Sequence, residues 1–589
     1  MRNDPVEPEV RARAVAAAQG REPFDLLLTG GTVVDVGCGE LRTADIGIVG
    51  PLIASVHPPD EQRLALDAID CTGRLLAPGF VDMHVHFESS MLTPGGYAEA
   101  VCPRGTTTVF VDPHELANVA GVAGVRYAVE ASRGLPVRFV VQAPSCVPPQ
   151  PGLELSGADL YGPEISEMLS WEEVGGLAEV MDMIGVLGGA DRMVDVVAAG
   201  LESGKLVSGH AAGLTGAVLQ AYLAAGMTSD HEIFTEPDCL EKLRAGLTVE
   251  LRGMIDPILP GIVAEVNALP ITPTHLVAAT DDLFALTLLG DGGIDHLLRR
   301  LVAYGMDPLV ALRCATYNAA YRLQRSDLGL VAAGRRADIV VLADLESFAA
   351  EHVITDGHLV ASHGRMLVDV VEGPSDPPFD TMRLSTLDAA DMQLHLDVPD
   401  GVHRMRVIAD AVMTRWDETE VRVHDGVVEI PTDYIVQVTV HRHGRIDPVP
   451  HAALLSGWGN WDGAIATTVA HDTHNLVVFG RDPHEMALAA NTVIASGGGV
   501  AVVRGTEVLG HIALPIAGIL SPAPAAEVAD AQRATQDAAI AIGLLAPTLT
   551  QPLFQVMLSS LACLPGPHVT DVGLIDGTTG EVVASAIVP

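Results

Sequence analysis

Two histidines near the start of the chain have the spacing of a metal-binding pair. His84 and His86 end the run 80–86, which follows the Pro78–Gly79 break and has the apolar character of a buried strand. Alternate side chains of a strand point to one face, so both imidazoles project the same way and can hold one metal ion. Further histidines, aspartates and glutamates on strand-like runs downstream favour this interpretation over an isolated pair.

The chain after the Pro-Gly break has the pattern of repeated β/α units, in which short apolar runs alternate with Ala-rich stretches. We expect eight strands, near residues 80–86, 107–112, 137–143, 177–182, 205–210, 226–231, 247–252 and 275–281. Eight strands in about 200 residues predict an α/β fold, a TIM-like (β/α)₈ barrel. In that fold the chemistry takes place at the carboxyl ends of the strands.

Residues of metal-ligand type end five of these predicted strands. They are His84, His86, Glu179, His210, His231 and Asp281. A single buried histidine is more often a core residue, and a strand-ending aspartate, here Asp281 or Asp282, is more often a helix cap. Chance does not readily explain residues of metal-ligand type at five separate strand ends, so we predict that these residues form one metal site. Nitrogen and oxygen donors without a thiolate suit Mn²⁺, Fe²⁺ or Zn²⁺.

Two β-rich flanks enclose the predicted barrel of residues 80–324. Residues 1–79 contain a charged helical leader and the first part of a β-sandwich domain, and residues 325–378 supply its second part. One composite β domain is therefore expected from both flanks. A Pro-rich linker at 372–378 precedes a C-terminal α+β domain of residues 385–589.

Composition and charge exclude several classes of partner. The 589 residues carry a formal net charge of −41, which disfavours nucleic acid and anionic membranes. Seven scattered cysteines without a Cys-x-x-Cys pair indicate a reducing compartment. No apolar run approaches the roughly 18 to 20 residues that cross a bilayer, and the first residues lack the apolar core of a signal peptide. We expect a soluble protein of the cytoplasm.

Several motifs resemble those of the amidohydrolase superfamily and, within it, the bacterial adenine deaminase family. They are Gly79-Phe-Val-Asp-Met-His-Val-His, His86-Phe-Glu-Ser-Ser-Met-Leu-Thr-Pro, Asp112-Pro-His-Glu-Leu-Ala-Asn, Ser208-Gly-His-Ala, Ser229-Asp-His-Glu and His471-Asp-Thr-His-Asn. The resemblance covers nearly the whole chain after the leader. Ala212 and Thr473 depart from it, where Pro and Ser are more usual, and neither departure removes a ligand.

The fourth predicted strand separates this chain from the lysine-bridged members of the superfamily. Hydantoinase and dihydroorotase types bridge two metal ions with a carboxylated lysine on that strand. This chain has only Lys205 and Lys242, and neither lies there. Glu179 is the suitable bridging residue on that strand.

The resemblance implies a two-metal enzyme that hydrolyses adenine, its small-molecule substrate, to hypoxanthine and ammonia in purine salvage. Two divalent ions are implied, with Mn²⁺ favoured and Fe²⁺ or Zn²⁺ as alternatives. One ion is expected on His84, His86, Glu179 and Asp281, and the other on Glu179, His210 and His231. The ions would activate a water that attacks C6 of adenine, while Asp281 takes its proton and passes it to the leaving nitrogen. The resemblance also implies a homodimer or larger homo-oligomer.

Several acidic and histidine residues beside these motifs are candidates for other roles. Those that could contact the purine are Glu88, His114, Glu115 and Glu232, and each has an alternative role as a capping or supporting residue. For His471, Asp472 and His474 two alternatives stay open, closure over the pocket or binding of another ion. Their place in the last domain gives no strand-end context that decides between them.

Two other function classes compete with the deaminase expectation. An amide hydrolase, such as a deacetylase of an N-acetylated amino sugar, can also use a glutamate on the fourth strand. The extra C-terminal domain and the Glu-Ser-Ser and Pro-His-Glu motifs count against it. A metal-binding scaffold without enzymatic activity needs no carboxylate base, and it explains the fewest of these residues.

Overall fold

One helix and five strands precede the barrel. The computed structural model describes residues 3–253, 257–411, 413–545 and 551–588. These first elements are α1 (Pro8–Ala18), β1 (Phe24–Asp35), β2 (Glu40–Val49), β3 (Leu52–His57), β4 (Ala65–Asp70) and β5 (Leu75–Pro78). β1 is central, because it pairs antiparallel with β2 and parallel with both β4 and β5.

Eight parallel strands follow and confirm the predicted barrel. They are β6 (Phe80–Val85), β7 (Thr106–Val111), β8 (Arg138–Ala143), β9 (Val174–Leu177), β10 (Leu206–Val207), β11 (Ser229–Asp230), β12 (Thr248–Arg252) and β13 (Leu276–Ala279). β6 to β10 pair in chain order, as do β11 to β13, and a bridge between Val85 and Asp281 joins the first strand to the last. The fourth strand ends at Leu177 instead of spanning the predicted 177–182, so Glu179 lies in the loop that follows it.

Helices follow most strands and cover the barrel. They are α2 (Pro94–Val101), α3 (His114–Ala120), α4 (Val122–Ala131), α5 (Gly162–Leu169), α6 (Met183–Gly188), α7 (Asp191–Glu202), α8 (Gly216–Ala224), α9 (Glu236–Arg244), α10 (Leu259–Asn267), α11 (Ala285–Gly290), α12 (Ile294–Ala303), α13 (Pro308–Cys314) and α14 (Tyr317–Arg322). In α12 the buried residues Ile294, Leu297, Leu298 and Leu301 recur at helical spacing and form one apolar stripe. Burial of such stripes against the strands holds the helices in place.

The chain then returns to the sheet that it began before the barrel. The returning strands are β14 (Ile339–Leu342), β15 (Ala350–Thr355), β16 (His358–Ser362) and β17 (Arg365–Met366). β14 pairs antiparallel with β5, which gives a nine-stranded sheet in the order β17-β16-β15-β14-β5-β1-β2-β3, with β4 beside β1. The segments before and after the barrel thus form one β domain, as the sequence predicts.

A second nine-stranded sheet lies at the centre of the C-terminal part. Its strands are β18 (Gly401–Ala409), β19 (Arg415–His424), β20 (Val427–Glu429), β21 (Tyr434–Val440), β22 (His451–Ser456), β23 (Ala464–Thr467), β24 (Leu476–Gly480), β25 (Gly499–Arg504) and β26 (Glu507–Ala513). The remaining elements are α15 (Pro483–Ala495), α16 (Ala525–Ala541), α17 (Pro552–Leu558), β27 (Pro567–Thr570), β28 (Gly573–Asp576) and β29 (Glu581–Val582). Within the described ranges, no helix has both the length and the apolar character of a membrane span.

The C-terminal part packs directly on the barrel. The side chain of Gln532 on α16 donates to the carbonyl of Ser90 (3.0 Å) and accepts from the N–H of Leu286 (2.9 Å). The rings of Phe284 and Phe554 lie edge to face, with centroids 6.0 Å apart. Loops of the C-terminal part therefore reach the carboxyl ends of the barrel strands.

A partly buried arginine, Arg138, ties the barrel to the composite β domain. Arg138 on β8 donates to Asp338 Oδ2 (2.9 Å), Asp356 Oδ1 (2.9 Å) and Asp4 Oδ2 (2.6 Å). The side chain of Asp338 is 6% exposed, so its charge has little water to compensate it. Such a buried carboxylate is stable only with its cationic partner present.

We expect Arg138→Met to lower the free energy of unfolding by about 3–5 kcal/mol, because it leaves the Asp338 carboxylate buried without its partner. The matched control is Arg133→Met, which breaks an exposed ion pair with Glu173 and should cost less than about 1 kcal/mol. Urea unfolding of the two variants gives the comparison. Equal effects would contradict the role assigned to burial.

Candidate metal centre

The carboxylate of Glu179 lies among four histidines at the carboxyl ends of the barrel strands. Its Oε1 is 3.1 Å from His86 Nε2 and 3.6 Å from His84 Nε2. Its Oε2 is 2.5 Å from His210 Nδ1 and 3.3 Å from His231 Nε2. The two oxygens of this one carboxylate therefore face two different pairs of imidazoles.

Asp281 faces the first histidine pair from the end of the eighth strand. Its Oδ1 lies 3.6 Å from His84 Nε2 and 3.5 Å from His86 Nε2, and its N–H donates to the carbonyl of His84 (2.9 Å). Its φ of +61° is in the left-handed region that non-glycine residues seldom adopt. Such conformations persist where the surrounding structure holds them, and they cluster at functional sites. The six predicted ligand residues are thus close together.

A buried hydrogen bond closes the barrel beside these ligands. Asp82 on β6 accepts from both the N–H (3.0 Å) and the hydroxyl of Thr280, which follows β13. Burial raises the pKa of Asp82 to about 7. Because His84 follows Asp82 by two residues and Asp281 follows Thr280 by one, this contact fixes the separation of the two ligands.

Charge interactions keep the site carboxylates ionised. Burial disfavours the charged form of Glu179, but the imidazoles of His231 and His210 outweigh it and hold its pKa well below the usual range. Burial also opposes the charge of Asp281, and the guanidinium of Arg252 and the ring of His231 lower its pKa below its ordinary value. Both carboxylates are therefore available as anionic ligands or bases.

The seventh strand contributes two residues that the sequence prediction missed. Arg252 ends β12, pairs with Asp281 and lies 2.8 Å from Glu232 Oε2 through Nη2. Glu250, two residues earlier, places Oε2 3.7 Å from His231 Nδ1. The signal was present in the run 247–252, because Glu250 and Arg252 share one face of the strand. The last residue of this run, Arg252, is not of metal-ligand type, so a search for ligands at strand ends does not find it.

The second strand also reaches the site. His114 Nδ1 lies 3.6 Å from Glu179 Oε1 and 3.3 Å from Asp112 Oδ2, and His86 Nδ1 donates to the carbonyl of Asp112 (3.0 Å). The sequence predicts His114 as a candidate for contact with substrate, and the structure places it beside the Glu179 carboxylate. Asp112 belongs to the Asp-Pro-His-Glu motif, but the sequence prediction does not include its carboxylate among the site residues.

The three acidic candidates for substrate contact occupy different positions. Glu232 borders the site, where Arg252 holds its carboxylate. Glu88 and Glu115 are completely buried, and Glu115 Oε1 is 2.8 Å from His471 Nδ1 of the C-terminal part. Burial and the neighbouring Glu115 carboxylate raise the pKa of Glu88 to about 8.

A buried ion pair supports the loops after the fifth and sixth strands. Asp230 accepts through Oδ1 from the N–H groups of Ala211 (2.7 Å) and Glu232 (3.2 Å), the residues that directly follow the two strand-end histidines. Its Oδ2 lies 2.8 Å from Nζ of Lys242, which is completely buried on α9 and also pairs with Asp238. Asp230 and Lys242 therefore position the histidine loops from behind.

The donor atoms at the site fit divalent metal ions. Several groups at this site have all their ligand atoms within 4.8 Å of one another, among them His84, His231 and Asp281; Glu179, His210 and His231; His86, Asp112, His114 and Glu179; and His86, Asp281 and Asp282. His231 Nδ1 and Glu250 Oε2 are buried, and neither has a hydrogen-bond partner within the described ranges, which is rare for buried polar atoms. Imidazole and carboxylate donors without thiolate suit Mn²⁺, Fe²⁺ and Zn²⁺.

A cavity of 890 Å³ borders this centre. Its lining includes Thr280 and Asp282 from the eighth strand end, Phe284, and Gln551 and Phe554 from the C-terminal part. Thr280 and Asp282, on either side of Asp281 in the chain, are the lining residues nearest to the ligand group in sequence.

The barrel and its ligand cluster are those of an amidohydrolase, and the amidohydrolase family model matches residues 75–360. The model of the adenine deaminase C-terminal domain matches residues 411–581. The chain is 52% identical to the adenine deaminase of Klebsiella pneumoniae subsp. pneumoniae over 98% of its own length and 96% of that protein. It is 50% identical to adenine deaminase 2 of Agrobacterium fabrum, with the same shares covered. The chain belongs to the adenine deaminase family.

A solved structure of lower similarity matches part of the chain. It is the N-acetyl-D-glucosamine-6-phosphate deacetylase of Mycobacterium smegmatis, which is 21% identical, covers 57% of this chain and all of its own, and gives a TM-score of 0.44.

We expect Lys242→Met to lower the free energy of unfolding by about 3–5 kcal/mol, since it leaves Asp230 buried without a cation. Because Asp230 positions the loops after the fifth and sixth strands, divalent metal affinity should fall by about 10–100-fold. Urea unfolding and metal competition against a chelator measure the two effects.

Lys205→Met is the matched control for this substitution. Among the described residues, Lys205 Nζ donates to the carbonyls of Trp171 and Val174 and pairs with no buried carboxylate. We expect metal affinity to stay unchanged in this variant. A Lys242→Met protein with native metal affinity would contradict the positioning role.

Proposed function

We propose that this protein catalyses the hydrolytic deamination of adenine to hypoxanthine and ammonia with two divalent metal ions. The observation that carries the proposal is the Glu179 carboxylate among four strand-end histidines and Asp281. This arrangement occurs in a chain whose sequence is 52% and 50% identical to two proteins named adenine deaminase, over 98% of its length in each case.

The six converging residues would hold the ions in two groups that share Glu179. One group is His84, His86, Glu179 and Asp281, and the other is Glu179, His210 and His231. Divalent ions in such a site supply water activation, since they lower the pKa of bound water from 15.7 to about 7. Mn²⁺ is the ion that we expect, and metal analysis of the purified protein distinguishes it from Fe²⁺ and Zn²⁺.

Asp281 is the group that we assign to proton transfer. Arg252 contacts its Oδ2, which leaves Oδ1 directed towards the rings of His84 and His86. A carboxylate kept ionised in this way can accept a proton from the attacking water. It then delivers that proton to the amino nitrogen at C6, which leaves as ammonia. The oxygen of water replaces this amino nitrogen on C6, and the second water proton ends on N1 of hypoxanthine.

Purine recognition is assigned first to Glu232 and His114. The Glu232 carboxylate is 13% exposed and held by Arg252, so it can accept a hydrogen bond from a ring N–H. His114 lies beside Glu179 with its Nε2 3.8 Å from Asp472 Oδ1. Glu88, which accepts from the N–H of Leu116 (3.4 Å), and Glu115 support the wall that carries His114.

In the cell we assign the protein to purine salvage in the cytoplasm, as a homo-oligomer. The net charge of −41 favours a small-molecule substrate over nucleic acid or an anionic membrane. Size-exclusion chromatography with light scattering measures the oligomeric state.

The activity is tested on the purified, Mn²⁺-loaded protein. We expect ammonia and hypoxanthine to appear in equal amounts from adenine, and no acetate from an N-acetylated amino sugar. Acetate without ammonia would identify the competing deacetylase activity. If metal-loaded protein released neither ammonia nor acetate, only the hypothesis of a non-enzymatic metal-binding scaffold would remain.

We expect Asp281→Asn to lower kcat by about 10²–10⁴-fold while KM changes much less, because asparagine cannot accept and return the proton. Steady-state kinetics on protein of verified metal content measures both constants. Asp291→Asn, at an exposed position of the same region, is the control and should keep native kinetics. A near-native kcat in Asp281→Asn would refute the assignment.

A further inference from the structure

We propose that Glu115, His471 and His474 form a separate cation site where the C-terminal part meets the barrel, and that it takes a divalent transition-metal ion, Zn²⁺ by its donor set. Glu115 lies in the first turn of α3, and the two histidines lie in the loop between β23 and β24. None of the three belongs to the Glu179 group. The proposal goes beyond adenine turnover, because it concerns how the two parts of the chain are joined.

The spacing of the donor atoms is that of ligands to one ion. One ligand atom from each of the three side chains lies within 4.8 Å of the others. Glu115 Oε2 is 3.6 Å from His474 Nε2, which is longer than a hydrogen bond of 2.7–3.2 Å. Zinc binds nitrogen and oxygen at about 2.0–2.2 Å, so two such ligands at a tetrahedral angle lie about 3.4 Å apart.

Three polar atoms of the cluster are buried without a hydrogen-bond partner in the part of the chain that the structure describes. Glu115 Oε2, His474 Nε2 and His471 Nε2 make no hydrogen bond among the described residues. The side chains of Glu115 and His474 are completely buried, and that of His471 is 4% exposed. Buried polar atoms are nearly always paired, and an unpaired one costs free energy. A cation between them would satisfy a carboxylate oxygen and an imidazole nitrogen together.

The ring of His474 is held so that Nε2 faces Glu115. Its Nδ1 lies 3.2 Å from the carbonyl of Thr468 and 3.3 Å from the N–H of Ala470. Ligating histidines are commonly fixed in this way through the nitrogen that does not bind the metal. The loop itself is anchored, because the guanidinium of Arg442 donates to the carbonyl of His474.

The other oxygen of Glu115 is already oriented by hydrogen bonds. Oε1 lies 2.8 Å from His471 Nδ1 and accepts from the hydroxyl of Ser89 (3.2 Å). The rings of His471 and His474 have centroids 5.6 Å apart and an interplanar angle of 57°, so both can approach one point. Two imidazoles and one carboxylate form a known zinc ligand set that leaves a fourth position for water.

An ion at this site would link two parts of the chain that are far apart in sequence. Glu115 belongs to the barrel, whereas both histidines belong to the C-terminal part. Because the site exists only when the two parts are packed together, bound metal would stabilise the packed state by mass action. A metal ion bound here would therefore support the packing of the two parts, and its ligands would be separate from the residues of the Glu179 group.

The experiment counts metal in the full-length protein. Wild type and variants are saturated with Zn²⁺, freed of loosely bound ion by gel filtration, and measured by inductively coupled plasma mass spectrometry. We expect His474→Asn and Glu115→Gln each to hold one equivalent less than wild type. Asparagine keeps a polar atom near the Nδ1 position and removes Nε2, and glutamine keeps the volume of Glu115 without its charge.

His443→Gln is the matched control, because His443 is a histidine of the same region that donates from Nε2 to the carbonyl of Thr473 (2.7 Å) and lies outside the cluster. It should hold as much zinc as wild type. Loading with Co²⁺ gives a second measurement, since wild type should show visible absorption bands that are absent from His474→Asn. Should His474→Asn fail to fold, Glu115→Gln decides the metal count.

Two results would overturn the proposal. Equal metal content in wild type, His474→Asn and Glu115→Gln would mean that the cluster is an ordinary hydrogen-bonded contact. A raised KM for adenine at unchanged metal content would assign the three side chains to the purine instead. Because the count does not depend on turnover, failure of the adenine assay would leave this test intact.

Discussion

A single buried carboxylate, Glu179, lies between imidazoles from three strand ends, and the surrounding structure keeps it charged. Burial alone would drive a carboxylate to take up a proton, since removal of a charge from water costs several kcal/mol. The charge persists only if positive groups surround it, either protonated imidazoles or bound cations. Each histidine of the group must therefore stay within a few ångströms of Glu179. The positions of the strand ends that carry these histidines can then vary only slightly.

Buried polar pairs behind the site residues hold the strand ends in position. Asp82 and Thr280 join the first and last strands directly before His84 and Asp281, so the closure of the barrel and the geometry of the site depend on one contact. Asp230, with its charge balanced by Lys242, holds the backbone of two neighbouring loops. Support of this kind orients ligands before any ion binds, which a site needs because loosely held ligands lose affinity.

A residue of the site could be predicted where its type and its position at a strand end both indicate a metal ligand. His210 and His231 are ligand types at strand ends, and in a barrel all strand ends of one direction meet. Glu179 was identified although its strand ends two residues earlier, because the loop that follows still lies at the same end of the barrel. Arg252 escaped prediction because its role is to hold Asp281, and a holding residue has no ligand signature. The contact between Glu115 and His471 joins separate domains, and no local pattern encodes it.

That contact also explains why the C-terminal part affects the barrel mouth. Ser89 lies within hydrogen-bond distance of both Glu115 and Asp282, so the loop that presents His471 is connected through one hydroxyl to the residue beside Asp281. A shift of the C-terminal loop would move Glu115, release Ser89 and loosen the end of the eighth strand. The barrel carries the proposed metal ligands, but the position of Asp281 also depends on the packing of the C-terminal part. The hydrogen bonds of Ser89 to Asp282 and to Glu115 connect the end of the eighth strand to residues that this part holds in place.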